Sequence, residues 1–498
     1  MQKKTVWVFG DQLNRRIGAL RDATPESHRV LIIESQKKIA SKRWHVQRAH
    51  FIVASMRRFA QELTADGFEV DYRFAKTMRS GLDAHIAEFQ PEEVVATEPN
   101  SYSAREMLKN MPVRCVKSDQ FLCHPDAYRE FMGARKTVKM EDFYRWQRKR
   151  LSVLMDGDAP VAGRWNFDED NRQPPPKTDH DRWPVPVSVP LDEIDQQVIA
   201  DVAPYTWGAL PTGLWATSRA GALARLKKFA TEVLPMFGEH EDAMLKSNWH
   251  LAHSLLSPYL NNGLLLPGEV VDAVVAEFEK GNVPINSAEG FLRQVIGWRE
   301  YIWNCYWQWM PDYAQMNALS AEIPLPKLFT APDKTQMACM KSVLEGVYEH
   351  SYAHHIERLM VLGNFALIAG INPQELTQWM WNSFVDAAEW VMVPNVVGMS
   401  QYADGGMLAT KPYASGGAYI DRMSNHCKGC AYDRKKRVGA DACPFTVLYW
   451  DFFLRHEEKF VKNPRVARQV RAAQQLADRD ELQATAVTIF RRLQSGEL

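Results

Sequence analysis

The amino-acid sequence predicts a two-part fold, a doubly wound parallel α/β domain joined by a long connector to an all-helical domain. Three observations lead to this prediction. Short apolar runs alternate with helical stretches at first, a proline-rich segment follows, and long amphipathic segments at helical spacing fill the rest. Strands that alternate with helices form parallel sheets covered by helices. We therefore expect an α/β domain over residues 1–130, an interdomain connector over 131–225 and a helical domain over 226–498.

Five apolar runs in the first region are the predicted strands. No Gly-x-Gly-x-x-Gly follows the first of them, so the sequence does not predict ordinary dinucleotide binding. The predicted strands are Thr5–Phe9, Val30–Ile33, Val70–Phe74, Val94–Thr97 and Val113–Val116.

Polar residues follow the ends of the predicted strands. Asp11 and Gln12 come after the first strand, and Glu34 comes after the second. Ligands of doubly wound sheets bind in the crevice outside the carboxyl ends of the strands. Asp11 and Glu34 are therefore candidates to bind a small molecule that carries hydrogen-bond donors. The alternative is that Asp11 only caps a helix and that Glu34 is solvated.

The connector begins with a basic stretch. Between Arg135 and Arg150 the chain holds seven lysines and arginines, interleaved with Phe143, Tyr144 and Trp146. Such a stretch fits contacts with the phosphates and bases of a nucleic acid, although a solvated helix face would look similar. The prolines that follow keep the connector extended.

The helical region contains a histidine pair. One helix is predicted over Val343–Ala369, with Gly370 as its C-cap residue, and it carries His354 and His355 on neighbouring stripes. A histidine inside an apolar helix is most often a hydrogen-bonded core residue. An imidazole that faces a cavity is instead the natural proton donor near neutral pH. Residues 391–423 are rich in glycine and proline and are predicted to form an irregular loop close to a ligand.

Three clustered cysteines are the most specific chemical signal. Cys427 and Cys430 are two residues apart, and Cys443 with Pro444 follows after twelve more. Thiolates at this spacing can hold zinc or an iron–sulfur cluster. The proline after the last cysteine favours the cluster, a structural zinc site stays open, and three unconnected thiols are the remaining alternative. A fourth ligand must come from elsewhere in the chain.

The overall composition excludes some classes. Lys+Arg and Asp+Glu are 60 each among 498 residues, so any nucleic-acid or membrane partner must be met by a local patch. The apolar run at the N-terminus is too short for a signal peptide, and no run reaches the roughly 18 apolar residues that span a bilayer. Seven cysteines in a chain of this length do not suggest a disulfide scaffold. We expect a cytoplasmic enzyme.

Taken in order along nearly the whole chain, seven segments and the cysteine set resemble the cryptochrome/photolyase superfamily. Within it they resemble the bacterial cryptochromes and photolyases that carry an iron–sulfur cluster. The resemblance implies an α/β antenna domain joined to a helical domain that binds FAD. The segments are Gly10–Leu13, Gly163–Asp168 with Asn171–Pro174, His253–Ser257, Gly290–Glu300, Ala353–Met360, Pro394–Gln401 and Gly405–Tyr413.

The resemblance implies three cofactors. FAD would lie in the helical domain, and a 6,7-dimethyl-8-ribityllumazine antenna would lie in the N-terminal crevice at Asp11, Gln12 and Glu34, where the glutamate selects the lumazine. A [4Fe–4S] cluster would complete the set. Its implied ligands are Cys339, Cys427, Cys430 and Cys443.

The implied reaction is the blue-light-driven repair of a (6-4) pyrimidine photoproduct in UV-damaged DNA by electron transfer from excited reduced FAD. Flipping a damaged base into a pocket costs only about a few kcal/mol. His355 would donate a proton to the lesion with the support of His354, while Tyr413, Met399 and Leu359 would line the pocket. The residues implied in FAD binding are Ser254, Leu255, Ser257, Arg299, Arg358, Asp386 and Asn395.

The chain departs from the family in its aromatic relay. Trp379 is the expected first hop for electrons, but Met380 stands where relatives can have a tyrosine, and Ala331 stands where a tryptophan is expected. The relay would then pass through Trp381, Trp390 or Phe329.

Two other functions compete with repair. A signalling cryptochrome would bind the same cofactors without repairing DNA, and an FAD enzyme of ground-state redox chemistry would use the cluster as a relay. The His354–His355 pair and the pocket residues Tyr413 and Met399 favour repair. We expect a monomer without a membrane partner.

Overall fold

The computed structural model describes residues 3–498 and confirms the predicted fold class. Its sheet has five parallel strands in the order β3-β2-β1-β4-β5. The strands lie within a few residues of the predicted runs. They are β1 (Lys4–Val8), β2 (His28–Ser35), β3 (Glu69–Ala75), β4 (Val94–Thr97) and β5 (Arg114–Val116).

Helices cover both faces of the sheet. Val6 and Val8 of β1 are buried on the face covered by helix Val46–Ala65, whereas Trp7 is buried on the face covered by helix Met78–Phe89. Successive strand residues point to opposite faces. A strand buried on both faces therefore has a continuous apolar run, which is the pattern that identified these strands in the sequence.

The rest of the chain is mainly helical. No helix within residues 3–498 is long and apolar enough to cross a membrane. The division of the chain at residues 130 and 225 stays a prediction. The other α-helices of eight or more residues are Tyr102–Lys109, Pro125–Met132, Met140–Leu151, Glu193–Val202, Arg219–Lys228, Pro267–Glu279, Ile285–Leu292, Glu300–Trp309, Ala338–His350, Pro373–Ser383, Pro444–Arg455, Ala467–Gln474 and Arg479–Ser495.

The single helix predicted over Val343–Ala369 is wrong. Helix Ala338–His350 ends at Ser351, which has a left-handed φ of 55°, and a new helical segment begins after His354. The second segment does end where expected, because Gly370 adopts a left-handed C-cap with φ 73°. The break brings His354 to the start of a helix rather than to its middle.

The prediction of an irregular loop over residues 391–423 holds only for its central part. Helices Glu389–Val393 and Gly417–Met423 flank it, and the segment Pro394–Ser400 is π-helical. Only residues 401–416 are irregular.

Three π-helical segments carry five of the ten residues that the resemblance assigned to FAD and the pocket. They are Arg293–Arg299, Glu357–Gly363 and Pro394–Ser400. Short π-helical stretches inside helices occur frequently at functional sites. No local sequence signal identified them.

The α/β domain is hydrogen-bonded to the helical region. The buried side chain of Arg48 donates to the backbone carbonyls of Phe384 and Ala387. His45 bonds through Nε2 to the carbonyl of Tyr348 at 2.8 Å. Helix Val46–Ala65, which packs on the sheet, therefore also fixes the loop on either side of Asp386.

Candidate functional site

A buried ion pair lies in the helical region. Arg358 donates through Nη1 and Nη2 to the two carboxylate oxygens of Asp386 at 2.9 and 3.1 Å. Ser257 donates its hydroxyl to the same carboxylate at 2.7 Å. A bidentate arginine–carboxylate pair is strong and fixes the orientation of both groups. Three predicted FAD-binding residues from distant parts of the chain thus form one hydrogen-bonded unit.

The remaining predicted FAD residues supply a bent backbone and polar groups. Leu255 has a left-handed φ of 56°, so the chain turns sharply between Ser254 and Ser257. Arg299 pairs with Glu300 at 2.8 Å, but its buried Nε has no hydrogen-bond partner in the described part of the chain. Asn395 donates to the carbonyl of Val391 at 2.7 Å. A buried guanidinium N–H without a partner suits an anionic ligand with hydrogen-bond acceptors, such as FAD. The Arg299 guanidinium lies over the rings of Phe121 and Trp390, at 4.1 and 5.3 Å from their centres.

A row of histidines lies next to the ion pair. The rings of His253 and His354 stack at 4.4 Å with an angle of 12° between their planes. His354 is fully buried, and neither of its ring nitrogens has a hydrogen-bond partner within residues 3–498. Burial, together with His355 and other nearby cations, lowers the pKa of His253 to about 3. The sequence reasoning named His253 only within the segment His253–Ser257 and gave it no role, because nothing local shows that it meets a residue about one hundred positions away.

His355 has the accessibility expected of a proton donor. Its side chain is exposed, yet protein surrounds it closely enough for burial, followed by the charge of Arg358, to lower its pKa to about 4. The ring can therefore be reached from outside although protein makes up most of its surroundings. Burial also raises the pKa of the neighbouring Glu357 to about 8, so this carboxyl is mostly protonated at pH 7.

The predicted pocket residues share one apolar cluster. Leu359 and Met399 are buried in it, and Tyr413 packs against it. The two π-helical segments that carry Leu359 and Met399 approach closely, since a Cβ at Gly363 would lie 2.2 Å from Oγ of Ser400. Only glycine permits this contact. The structure therefore brings the predicted pocket residues together.

Trp379 lies in the same cluster, with Phe329 at 5.0 Å and Phe384 at 5.9 Å between ring centroids. Of the three residues predicted as alternatives for the relay, Phe329 is the one whose ring contacts that of Trp379. Trp390 instead packs edge-on against Trp303 at 5.6 Å in a separate cluster. The ring of Trp381 is covered by Nζ of Lys42 at 3.3 Å.

The connector reaches the pocket through an ion-pair network that the sequence reasoning missed. Asp168 pairs with Arg293 and, at 2.8 Å, with Arg172. Glu289 accepts a hydrogen bond from the hydroxyl of Tyr144 at 2.8 Å. These pairings hold the Gly163–Asp168 motif against the helix that begins at Ile285. Burial raises the pKa of the nearby Glu241 to about 8.

In the N-terminal crevice, the predicted residues Glu34 and Gln12 are hydrogen-bonded to other groups of the protein. Glu34 is buried and accepts hydrogen bonds from Nε and Nη2 of Arg57 at 3.1 and 2.9 Å and from the hydroxyl of Tyr72 at 2.6 Å. It is therefore not solvated. Gln12 donates to the carbonyl of Glu98 at 2.7 Å. Asp11 caps no helix, and burial raises the pKa of its carboxyl although Lys38 lowers it.

The four cysteines predicted as ligands lie near one another. Cys339 is buried, and burial together with the thiols of Cys443, Cys427 and Cys430 raises its pKa well above the ordinary value. Cys339 comes from a segment about ninety residues before the other three. Within residues 3–498 no group of three or more His, Cys, Asp or Glu side chains is close enough to hold a single metal ion.

Of the seven basic side chains between Arg135 and Arg150, one is buried and six are exposed. Arg148 is buried and donates to the carbonyls of Val153, Leu154 and Trp165, so it cannot contact a nucleic acid as predicted. The other six basic residues are exposed, and none forms a salt bridge within residues 3–498. They are Arg135, Lys136, Lys139, Arg145, Lys149 and Arg150.

This fold is found in known proteins. A crystal structure of a bacterial class III photolyase from Agrobacterium tumefaciens matches with a TM-score of 0.58 and 16% identity, covering 99% of this chain and 98% of that one. A cryptochrome of Synechocystis sp. PCC6803 matches with a TM-score of 0.56 and 13% identity, covering 99% of both chains. The α/β sheet with its helical partner is thus the fold of photolyases and cryptochromes.

Sequence comparison identifies the family. A (6-4) photolyase of Agrobacterium fabrum is 39% identical over 505 aligned residues, which cover 98% of this chain and 99% of that protein. Residues 6–212 match the family of deoxyribodipyrimidine photo-lyase-related proteins. The chain therefore belongs to the cryptochrome/photolyase superfamily, and membership implies a flavin cofactor.

Proposed function

We propose that the chain repairs (6-4) pyrimidine photoproducts in UV-damaged DNA with blue light. The observation that carries this proposal is the accessible ring of His355 beside the Arg358–Asp386 pair, in a chain that a (6-4) photolyase matches from end to end. Tyr413, Met399 and Leu359 belong to one apolar cluster, which would offer an apolar surface to a flipped dinucleotide.

When bound, reduced FAD supplies the electron that light transfers to the lesion. The Arg358–Asp386 pair, with Ser257 as a third partner, orients the cofactor side of the cavity. We assign His355 as the group that passes a proton to the lesion. At pH 7 its ring is neutral, because its pKa is about 4, so the ring must take up a proton from water before it donates one and returns to the neutral form. A negative charge that develops on the lesion raises the pKa of an adjacent imidazole, which couples protonation to electron transfer.

We further propose that the four cysteines bind a [4Fe–4S] cluster and not zinc. The four thiols lie close enough together to raise the pKa of Cys339. Pro444 directly follows Cys443, and a Cys-Pro ending recurs in ferredoxin-type runs, which favours the cluster. Iron and acid-labile sulfide analysis of the purified protein tests this proposal, and one zinc per chain without sulfide would refute it.

We also propose that the crevice at Asp11, Gln12 and Glu34 binds the 6,7-dimethyl-8-ribityllumazine antenna. The carboxylate of Glu34 is held by Arg57 and Tyr72, so its orientation toward a ligand is preset. Asp11 is a partly exposed acceptor at the end of β1. Extraction of the bound chromophores by heat, followed by their spectra, identifies which ones are present.

The decisive test is repair of an oligonucleotide that carries one defined (6-4) photoproduct. Reduced protein under blue light should restore the two pyrimidines, and a matched sample in the dark should not. Turnover in the dark would instead indicate ground-state redox chemistry. Absence of repair in protein that retains FAD would refute the proposal in favour of a photoreceptor.

A further inference from the structure

Two basic side chains lie together at the edge of the pocket, away from the Arg135–Arg150 stretch. Lys411 is two residues before Tyr413, and Arg465 follows Asn463. The side chain of Asn463 donates to the carbonyl of Thr410 at 3.0 Å and accepts a hydrogen bond from the backbone N–H of Arg465 at 3.0 Å. This one amide therefore holds the two segments against each other. We call Lys411 and Arg465 the C-terminal flank.

The C-terminal flank has no compensating carboxylate. Neither cation forms a salt bridge among residues 3–498. Two carboxylates act on Tyr413, those of Asp168 and Asp242. Asp168 pairs with Arg293 and with Arg172, and Asp242 lies 3.9 Å from Nε of Arg172. Burial, followed by repulsion from Arg465 and Arg172, lowers the pKa of Lys411. An anion that binds between these cations would relieve their mutual repulsion.

A second basic group borders the pocket on the connector side. The cations of Arg145 and Lys149 lie 5.6 and 5.9 Å from the ring centre of Trp165. Trp165 directly precedes the segment in which Asp168 pairs with Arg172, and Arg172 also repels Lys411. We call Arg145 and Lys149 the connector flank. Arg172 thus acts on both Lys411 and Tyr413, and Arg465 acts on both as well.

We propose that Lys411 and Arg465 bind backbone phosphates of DNA, so that one strand crosses the pocket with phosphates held on both the connector and the C-terminal flank. This inference rests on the proposed function, since it assumes a DNA substrate at the pocket. A flipped lesion leaves the duplex distorted at one point, and phosphate contacts on both sides of that point fix its register without reading sequence. The basic rim meets this requirement although the net charge of the chain is zero.

The test is DNA affinity in the dark as a function of salt, with the full-length holoprotein and duplexes with and without a (6-4) photoproduct. Each phosphate contact contributes about 0.9 to the slope of log K against log salt. The double substitution Lys411→Ala with Arg465→Ala should lower that slope by about 1.8. At about 0.1 M salt it should weaken binding tenfold or more, equally for both duplexes.

Two controls separate this role from a general charge effect. Lys227→Ala with Arg491→Ala removes two exposed cations that lie outside both flanks and form no salt bridge in the described chain, and it should leave the slope unchanged. Lys411→Arg with Arg465→Lys keeps the charges and should retain the wild-type slope. Thermal unfolding checks that every variant is folded.

Each outcome decides a different claim. If Lys411→Ala with Arg465→Ala has the same slope as Lys227→Ala with Arg491→Ala, phosphate binding by the C-terminal flank is refuted, while the proposed repair function stays intact. Wild-type protein that binds neither duplex would overturn both. A slope reduced for Lys411→Ala with Arg465→Ala alone, with light-driven repair preserved at saturating DNA, would support the inference.

Discussion

The two candidate cofactor sites of this chain differ in how their polar groups are satisfied. In the N-terminal crevice, Glu34 already accepts three hydrogen bonds from Arg57 and Tyr72. In the helical region, buried nitrogens of Arg299 and His354 have no hydrogen-bond partner within residues 3–498, and the closest carboxylate oxygen to Nε2 of His354 is that of Glu357 at 3.5 Å. The His355 ring is accessible.

This difference has a physical consequence. A site whose polar atoms are already paired is stable without a ligand, and its ligand adds to an existing arrangement. A site with unpaired buried polar atoms costs about 1–3 kcal/mol for each of them and gains most when a ligand binds. We therefore expect the stability of the helical region, which also carries the four cysteines, to depend more strongly on bound cofactors than the stability of the N-terminal crevice does.

The largest expected effect concerns the cysteines. Cys430→Ser should remove both iron and most of the folded yield, because metal-binding energy becomes folding energy when ligands come from distant segments. Soluble yield and iron content measure this. The exposed Cys115 provides the matched control, and Cys115→Ser should change neither quantity. Normal yield without iron would show that the helical region is stable without the cluster, which would break the comparison.

The next largest effect concerns catalysis. His355→Ala should keep FAD but slow repair at least about 100-fold, since positioned proton donors typically contribute 10²–10⁴. Quantitative repair assays under saturating light measure the rate, and the flavin absorbance checks cofactor content. His28→Ala, in the α/β domain, should repair at the wild-type rate. Repair by His355→Ala near the wild-type rate would show that another group supplies the proton.

A smaller effect is expected in the crevice. Glu34→Ala should lose the lumazine antenna while FAD remains, and the fold should survive because Arg57 keeps Asp201 as a partner at 2.7 Å. Chromophore spectra after heat release measure both contents. Asp201→Asn removes the other partner of Arg57 and should retain the antenna. Unchanged lumazine content in Glu34→Ala would contradict the assignment of this crevice.

The smallest effect is a pH dependence of stability. The pKa of His253 is about 3 in the folded protein and about 6.5 when unfolded. Between these values the unfolded chain binds a proton that the folded protein does not, so stability falls as the pH falls below 6.5. His253→Phe keeps a ring in the stack but removes the titrating group. Between pH 7.5 and 5.5 its free energy of unfolding should fall by about 1.4 kcal/mol less than that of the wild-type protein.

Urea unfolding at the two pH values measures this difference. His28→Phe serves as a control on a less buried histidine whose pKa is also lowered by burial. Equal pH dependence in wild type and His253→Phe would mean that the His253–His354 stack is not held neutral by burial.

The fold was largely predictable because its signals are local. A strand buried on both faces needs consecutive apolar residues, so the runs that became β1 to β5 were visible one segment at a time. Gly370 marked a helix end because glycine tolerates left-handed φ. The spacing of Cys427, Cys430 and Cys443 is also a local signal, because a short separation in sequence keeps these thiols near one another. It therefore indicated a metal centre.

The arrangement of the site was decided by tertiary contacts. The break at Ser351, the stack of His253 on His354 and the bracing of Asp386 by Arg48 each join segments that no periodicity relates. Burial of Arg148 likewise depends on carbonyls that the later fold brings to it. Local patterns report which face of a segment is apolar, whereas packing between distant segments determines which polar groups meet. For this protein the sequence by itself determined the fold class and the candidate residues, and the tertiary structure decided how those residues face one another.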